Sequence, residues 1–320
     1  MFCKRFIYAI IIFAGFIACQ VDYEMPESFI DEPDYIVVNS LLTPSKPVKI
    51  DFYQTMKTDI GYSFSPLVDV HVLLKENDIV LYDAVCKDSV LEIPYYPKTK
   101  HNYYLEASVN GKTIKASTSI PVPATCKTIN YFYYSYFHIL PEDDAMLISS
   151  FKIDTDAQAS LWITAYDIFE TGDKGQCDEI YTSHPLIDKF NRENSQRLFN
   201  PQVGSYFHKA FMRVKNTNLP HLDSLFFLPI RTNLVDIGEL NYNKAKSVKC
   251  QIKLIMASKE YDQYCKSLFE QKSMIIYDYD ILPVFYQPKQ VFSNISGGLG
   301  IFAGMSETDY FIDIRYGEDF

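Results

Sequence analysis

A strict alternation of apolar and polar residues is the sequence feature that most constrains how this chain can fold. In Val48–Phe52 apolar and charged residues take turns, and in Tyr103–Val109 every second residue is apolar up to the dipeptide Asn110-Gly111. A period of two places alternate side chains on opposite faces of a β-strand, and Asn-Gly favours the positive φ angles of a type I′ turn. The pattern therefore predicts a β-hairpin at this dipeptide and six or seven short strands within residues 34–120.

The number and length of these strands predict a mainly β protein. Its first domain, residues 34–123, is expected to be an immunoglobulin-like antiparallel β-sandwich. The boundary is placed at Ile120–Pro123 because two prolines at alternate positions cannot continue a paired central strand. Residues 124–320 are expected to form a second β-rich α+β domain with one or two helices.

The second domain has fewer regular segments, but several are legible. Alternation or dense aromatic and β-branched content predicts strands at three places: Asn130–Phe137, Leu161–Phe169 and Val248–Met256. A helix is predicted from Ser258 to about Gln271, because the apolar residues between them follow a spacing of 3.6. Those residues are Tyr261, Tyr264, Cys265 and Leu268.

The amino terminus has the pattern of a secretory signal. Lys4 and Arg5 precede an apolar run, Phe6–Ile17, which is shorter than the roughly 20 residues that a membrane-spanning helix needs. The run ends at Ala18-Cys19 and resembles the bacterial lipobox, in which the cysteine receives a lipid and becomes the first residue of the mature chain. We therefore expect a signal peptide at residues 1–18 and lipidation of Cys19. The alternative is an ordinary signal peptide followed by an incidental cysteine.

Residues 19–33 are expected to form an extended, lipidated tether, since they combine prolines with several acids. Asp22 and Glu24 follow closely behind the anchor, and acids at this place resemble the surface-export signal of Bacteroidota lipoproteins. The expected location is the outer membrane, with the chain anchored in the bilayer by amino-terminal acyl groups. Exposure at the cell surface is favoured over the periplasmic face.

The sequence offers no recognised catalytic or metal-binding motif. It contains no nucleophile elbow, His-Glu-x-x-His or P-loop, and its six histidines are scattered. No catalytic residue, metal site or cofactor is therefore expected. The chain has 30 Lys and Arg and 40 Asp and Glu, which gives a net charge of −10. Because nucleic acid is also negatively charged, it is not an expected partner.

The cysteines leave their pairing open. Once Cys3 departs with the signal and Cys19 carries lipid, an odd number remains, so at least one thiol stays free or pairs between chains. The remaining cysteines are Cys86, Cys126, Cys177, Cys250 and Cys265.

A glycine-rich segment near the carboxyl end invites a nucleotide-binding interpretation. The spacing of Gly297, Gly298 and Gly300 does not match the dinucleotide fingerprint, and no helical pattern follows. We therefore predict that residues 294–304, including Asn294 and Gly304, form a structural turn in which backbones approach closely. A surface for a partner protein at this segment remains an alternative.

The same segment carries a family resemblance. Val291–Phe302 reads Val-Phe-Ser-Asn-Ile-Ser-Gly-Gly-Leu-Gly-Ile-Phe and resembles the closing signature of Bacteroidota lipoproteins catalogued as domain of unknown function 4249. Val37–Pro44 and Ala116–Pro121 resemble two further stretches of that family, with Ser40 standing where the family often has glycine. The resemblance implies an outer-membrane lipoprotein, often encoded beside a TonB-dependent transporter. It implies no enzymatic activity and therefore supplies no catalytic positions.

Three functions are consistent with these features. The first is a non-enzymatic accessory or substrate-binding partner of a TonB-dependent outer-membrane receptor. The second is a structural or adhesive surface lipoprotein without a transport partner. The third is a surface hydrolase, which would require paired carboxylates in a cleft.

Overall fold

The computed structural model is mainly β, as the sequence predicts. It describes residues 35–58, 61–135, 145–154, 159–176, 179–181, 211–217, 225–230, 247–275 and 290–313. Cys19 and the tether lie outside the described residues. Within them, no helix has the length and the apolar character to cross a bilayer.

The first unit contains eight strands, one or two more than the sequence predicts. They are β1 (Ile36–Leu42), β2 (Val48–Thr58), β3 (Gly61–Pro66), β4 (Val70–Glu76), β5 (Ile79–Cys86), β6 (Val90–Ile93), β7 (Asn102–Val109) and β8 (Lys112–Ser119). One sheet has the order β5-β4-β7-β8, and the other contains β1 and β2, with β3 and β6 both paired to β2. Asn110 and Gly111 have φ angles of 50° and 75° between β7 and β8, which confirms the predicted hairpin.

The alternation in the sequence becomes the packing of the two sheets against each other. Side chains at every second position of β4 and β8 are buried, and those between them mostly face solvent. Phe52, Leu74 and Tyr103 are fully buried in the shared core. Since burying one large apolar side chain contributes about 1.5–3 kcal/mol, this core is the main source of stability in the first unit.

Within the described residues, the second unit contains eight further strands and one helix. Its strands are β9 (Thr125–Ser135), β10 (Ala145–Asp154), β11 (Ser160–Phe169), β12 (Lys174–Gln176), β13 (Glu179–Tyr181), β14 (Met212–Val214), β15 (Leu225–Ile230) and β16 (Ser247–Ala257). They form two sheets: β13-β15-β10-β9, and a group in which β11 pairs with β12, β14 and β16. The strands predicted at residues 161–169 and 248–256 are confirmed, and the predicted aromatic strand corresponds to β9, although residues 136 and 137 lie outside the described residues.

Helix α1 (Lys259–Ile275) confirms the predicted helix and continues four residues beyond Gln271. Ser258 caps its amino terminus, because the Tyr261 amide donates to the Ser258 hydroxyl at 3.2 Å. Glu260 and Asp262 in the first turn complement the positive end of the helix dipole. The helix packs mainly against the strand β17 (Leu299–Asp313) and also contacts β16.

Strand β17 (Leu299–Asp313) was not predicted, and it joins the two units. Its first part pairs in parallel with β1, from Leu299 beside Val37 to Gly304 beside Leu42. Its second part pairs antiparallel with β16, from Met305 to Asp313. One sheet therefore runs through both units in the order β12-β11-β16-β17-β1-β2-β3. The boundary at residue 123 stays a prediction, and the structure adds a strand from the far end of the chain to the first unit.

Among the described cysteines, Cys86, Cys250 and Cys265 are free thiols. Cys86 and Cys250 are buried, whereas Cys126 and Cys265 are partly exposed. Cys177 lies outside the described residues.

Candidate functional site

The three stretches that carry the family resemblance meet at one edge of the sandwich. Residues 37–42 lie in β1, residues 116–119 lie in β8, and residues 294–304 lie between these strands as a turn followed by the start of β17. We call this place the closing edge, because residues 294–304 close the gap between one sheet, through β1, and the other, through β8. All the sequence-predicted motif residues except Cys19 lie in it.

Asn294 ties the turn to both sheets through its side-chain amide. Its Nδ2 donates to the Phe302 carbonyl at 2.7 Å and to the Ser117 carbonyl at 3.2 Å, while Oδ1 accepts from the Phe302 amide at 3.0 Å. The Asn294 side chain thus bonds to both the amide and the carbonyl of Phe302, as the backbone of a neighbouring strand would. It also bonds to β8 through Ser117. An amide is required here, since it combines donor and acceptor capacity in one planar group.

Backbone hydrogen bonds continue this connection at Ser296. The Lys115 amide donates to the Ser296 carbonyl at 3.0 Å, and the Ser296 amide donates to the Lys115 carbonyl at 2.8 Å. This reciprocal pair is an antiparallel bridge between β8 and the turn. The next residues then leave β8 and join β1 on the other sheet.

Glycines allow the segment to approach its neighbours. Gly300 has a φ of 106°, and a Cβ at this position would collide with the carbonyl group of Val38. A Cβ at Gly298 would lie 2.5 Å from the Ile36 carbonyl oxygen, and one at Gly304 would collide with the Ser119 carbonyl. Gly297, with a φ of 79°, would place its Cβ 2.8 Å from the Thr113 carbonyl oxygen. Side chains at these positions would therefore separate β17 from β1 and β8.

The groups that surround these glycines do not suit a phosphate. A phosphate loop presents backbone N–H groups to the anion, whereas the atoms nearest the glycines are carbonyl oxygens of Ile36, Val38, Thr113 and Ser119. Carbonyl oxygens repel an anion, and the two strands already occupy the space. The geometry favours a structural role for the motif.

Ser40 is accommodated in β1 without disturbing the closing edge. Its side chain is 4% exposed, and its hydroxyl donates to the Lys49 carbonyl of β2 at 2.8 Å. The hydroxyl thereby compensates for its own burial.

The closing edge is also connected to the start of helix α1. The Ser258 amide donates to the Gly304 carbonyl at 2.9 Å, and the Thr118 hydroxyl lies 3.3 Å from the Ser258 hydroxyl and 3.0 Å from a Glu260 carboxylate oxygen. Thr118 belongs to the first unit, and Ser258 and Glu260 belong to the second. These polar contacts therefore fix how the two units meet.

Ser306 follows on β17 and is an exception to this pattern of satisfied groups. Its side chain is 1% exposed, and its hydroxyl has no hydrogen-bond partner among the described residues. A buried hydroxyl without a partner lowers stability by about 1–3 kcal/mol. Sequence patterns gave no signal for it, since serine is common in strands of either exposure.

A buried carboxylate in the first unit, Glu76, was not predicted as a site residue. Glu76 ends β4, is 3% exposed, and its Oε1 accepts hydrogen bonds of 2.5 Å from the hydroxyls of Tyr95 and Tyr103. Lys98 Nζ lies 3.7 Å from Oε2. His101 Nδ1 lies 3.2 Å from Oε1 but outside hydrogen-bonding geometry. The four partners come from the β6–β7 connection and from β7, so their grouping depends on the fold.

These contacts decide the ionisation of Glu76. Burial acts to raise its pKa, but the hydroxyl groups of Tyr103 and Tyr95 and the charge of Lys98 outweigh burial and lower the pKa from its ordinary value. Burial, followed by the hydrogen bond to the carboxylate, raises the pKa of Tyr103. Glu76 is therefore a stably ionised acceptor with fixed donors.

A second buried carboxylate, Asp262 on α1, links the helix to the sheet. Arg213 on β14 donates through Nε to Oδ1 and through Nη2 to Oδ2, both at 2.6 Å, and the Trp162 indole donates to Oδ1 at 2.8 Å. This bidentate pairing gives both strength and orientation. Because Arg213 is 4% exposed, its charge depends on Asp262 for compensation.

Neither carboxylate, nor any other group of described residues, forms a metal centre: no cluster of three or more His, Cys, Asp or Glu is placed to bind an ion within the described ranges. The site that the geometry defines is a junction between strands rather than a cavity. Its chemistry consists of backbone pairing, one amide side chain and glycines at close contacts.

The molecule is thus a mainly β protein whose first sandwich is closed by a strand from the carboxyl end of the chain. Comparison with known families shows that the chain belongs to the domain of unknown function family DUF4249, whose model matches residues 20–310. No curated protein matches the chain.

Proposed function

We propose that this protein is a lipid-anchored lipoprotein of the outer membrane of a Bacteroidota cell, displayed at the surface, where it acts as an accessory or substrate-binding partner of a TonB-dependent transporter. The observation that carries the proposal is the amino-terminal pattern: a basic start, an apolar run too short to span, and Ala18-Cys19. Membership of the DUF4249 family supports it, since the resemblance to this family implies an outer-membrane lipoprotein.

The chemistry of the described residues supports a non-enzymatic role. Glu76 and Asp262 are buried and accept hydrogen bonds from donors of the protein itself, whereas a general acid or base needs access to substrate. Burial raises the pKa of the Cys265 thiol to about 12, and a protonated thiol is a poor nucleophile. Binding and scaffolding need none of these groups to react.

The anchor is tested by replacing the cysteine that is expected to carry it. Cys19→Ala should move the protein from the detergent phase to the aqueous phase, because the acyl chains supply the membrane affinity. Cys3→Ala is the matched control: it changes the same residue type within the expected signal and should leave partitioning unchanged. Partitioning of Cys19→Ala into the detergent phase, as for wild type, would contradict lipidation.

The partnership is tested separately, by purifying the tagged full-length protein from detergent-solubilised outer membranes. The proposal expects a TonB-dependent barrel to co-purify in a stoichiometric amount. A protein that elutes alone, while still anchored, would contradict the transport partnership and favour the structural or adhesive alternative.

A further inference from the structure

We propose that strand β17 is a closing latch: it makes the N-terminal sandwich depend on the carboxyl end of the chain, so that both units fold and unfold in a single cooperative transition. This device is independent of the anchor and of any transport partner. It follows from how residues 294–313 are shared between two cores.

The first step is that the sandwich is incomplete without this segment. Ile295 and Phe302 belong to the hydrophobic core of the first unit, and Phe302 is 0% exposed. Without β17, the β1 edge would lose its six partners from Leu299 to Gly304. An uncovered strand edge and a missing aromatic side chain together remove both backbone pairing and core packing.

The second step is that the same strand is required by the other unit. Ile312 is buried in the core of the second unit and Tyr310 packs against it, beside Leu161 and Leu254. The Tyr310 hydroxyl also accepts from the Cys126 amide at 2.6 Å, where the chain enters the second unit. Loss of β17 would therefore open both cores.

The third step is that the part of β17 in the second unit is continuously paired, and that the strand is held where it passes from one unit to the other. Residues 305–313 contain neither glycine nor proline, and they pair with β16 without a register shift. At Gly304, where one pairing passes to the other, the Ser258 amide of the second unit donates to the strand, and the Thr118 hydroxyl of the first unit lies 3.3 Å from the Ser258 hydroxyl. Opening of one unit is thus transmitted to the other through a paired strand.

The test uses a natural reporter and an engineered clamp placed in different units. Trp162 is the single tryptophan of the chain and lies in the second unit, 4% exposed. Lys115 and Ser296 are exposed and form the reciprocal bridge of the first unit, a geometry in which Cα atoms lie about 5.5 Å apart and a disulfide fits. The variant is Lys115→Cys with Ser296→Cys in the chain from Gln20 to Phe320.

Urea unfolding is followed by Trp162 fluorescence and by far-ultraviolet circular dichroism. In the oxidised double variant both signals should shift together to a higher midpoint, by about 1 M urea, since the disulfide closes a very long loop. Reduction should return both to the wild-type midpoint, and each single cysteine variant under oxidising conditions should show no shift. A Trp162 midpoint that stays at the wild-type value while circular dichroism shifts would overturn the proposal.

A destabilising variant tests the coupling from the opposite direction. Leu74→Ala creates a cavity in the first unit on β4, where the side chain is 0% exposed and belongs to the first core alone. The Trp162 midpoint should fall by the same amount as the circular dichroism midpoint. Two separated transitions, with Trp162 unfolding at the wild-type urea concentration, would show that the units are independent.

Discussion

The two edges of the N-terminal sandwich differ in how they end. At the closing edge, residues 294–304 pair with the backbone of β1 and of β8, so neither strand is left as a free edge there. At the opposite edge, β3 and β5 are the last strands of their sheets, and Phe64 and Ile79 are each 64% exposed. From this contrast we expect the stability of the sandwich to be concentrated at the closing edge.

The chemistry of the two edges differs as well. Residues 294–304 are held at the closing edge by uncharged groups, namely backbone amides, carbonyls and the Asn294 side chain. Near the opposite edge, the β4–β5 hairpin is anchored by the ionised Glu76, whose register partner on β5 is Ile79. Stability that depends on the closing edge should therefore be insensitive to pH, whereas the anchor of the opposite hairpin should weaken in acid.

The largest expected effect comes from adding one methyl group at the closing edge. Gly300→Ala combines a φ of 106° with a collision against the Val38 carbonyl, and we expect a loss of more than about 3 kcal/mol or failure to fold. The measurement is the free energy of unfolding in urea.

The matched control for this substitution is Gly172→Ala. Gly172 has a φ of 86° but no atom within 4 Å of the added Cβ, so only backbone strain of about 1–2 kcal/mol is expected. Equal losses at the two positions would mean that the contact with β1 contributes nothing.

Removal of the Asn294 amide should have the next largest effect. Asn294→Ala leaves the Phe302 backbone groups and the Ser117 carbonyl without this partner, and we expect a loss of about 1–3 kcal/mol. Asn39→Ala, at an exposed asparagine of β1, should stay within about 0.5 kcal/mol of wild type. Differential scanning calorimetry of both variants measures the difference in stability. An Asn294→Ala variant as stable as wild type would show that the amide does not stabilise the closing edge.

Glu76→Gln tests whether the stability contributed near the opposite edge depends on pH. Because the pKa of Glu76 is lowered from its ordinary value of 4.5, the folded state binds this proton less readily than the unfolded state. The stabilisation is therefore present above about pH 4.5 and is lost as the pH falls through the folded-state pKa. We expect Glu76→Gln to lower stability at pH 7 by about 2 kcal/mol and to match wild type in strong acid.

The pH prediction is checked by urea unfolding across the range from pH 7 to pH 2. Glu92→Gln, at an exposed position of β6, serves as the control and should follow the wild-type curve. A difference between wild type and Glu76→Gln that persists unchanged at the lowest pH would contradict the assignment of an ionised, hydrogen-bonded carboxylate.

The smallest effect is expected at the opposite edge. Val80 on β5 is 50% exposed, whereas Val72 on the neighbouring strand β4 is fully buried. The same substitution to alanine should change stability by about 0.5 kcal/mol or less at Val80 and by roughly 1–3 kcal/mol at Val72. Thermal unfolding of the two variants compares them directly, and a larger loss at Val80 would show that the edge is covered by something in solution.

The parts of this structure that sequence reasoning predicted are those with local, periodic signals. The β7–β8 hairpin follows from alternation and Asn110-Gly111, and helix α1 follows from 3.6 spacing after Ser258. The first part of β17 has no alternation, since Ile301, Phe302 and Ala303 are all buried. A strand buried on both faces gives only a short apolar run, which cannot reveal its partner.

The sequence identified the motif of the candidate site but not the three-dimensional arrangement of its residues. Asn294 and its glycines could be identified as a structural segment, but their partners in β1 and β8 lie more than 170 residues away in sequence, as with Asn294 and Ser117. The grouping of Tyr95, Tyr103 and Glu76 depends likewise on sheet register. Such contacts can be predicted only when the long-range strand pairing is known, because no local propensity specifies them.

Native-state hydrogen exchange, read by mass spectrometry on the chain from Gln20 to Phe320, tests most directly whether the closing edge carries the stability of the fold. The account predicts that amides of β1 and of Ile301–Ala303 exchange only by global unfolding, with the free energy measured in urea. Amides of β5 should exchange through smaller, local openings. Faster exchange in β1 and β17 than in β5 would contradict the claim.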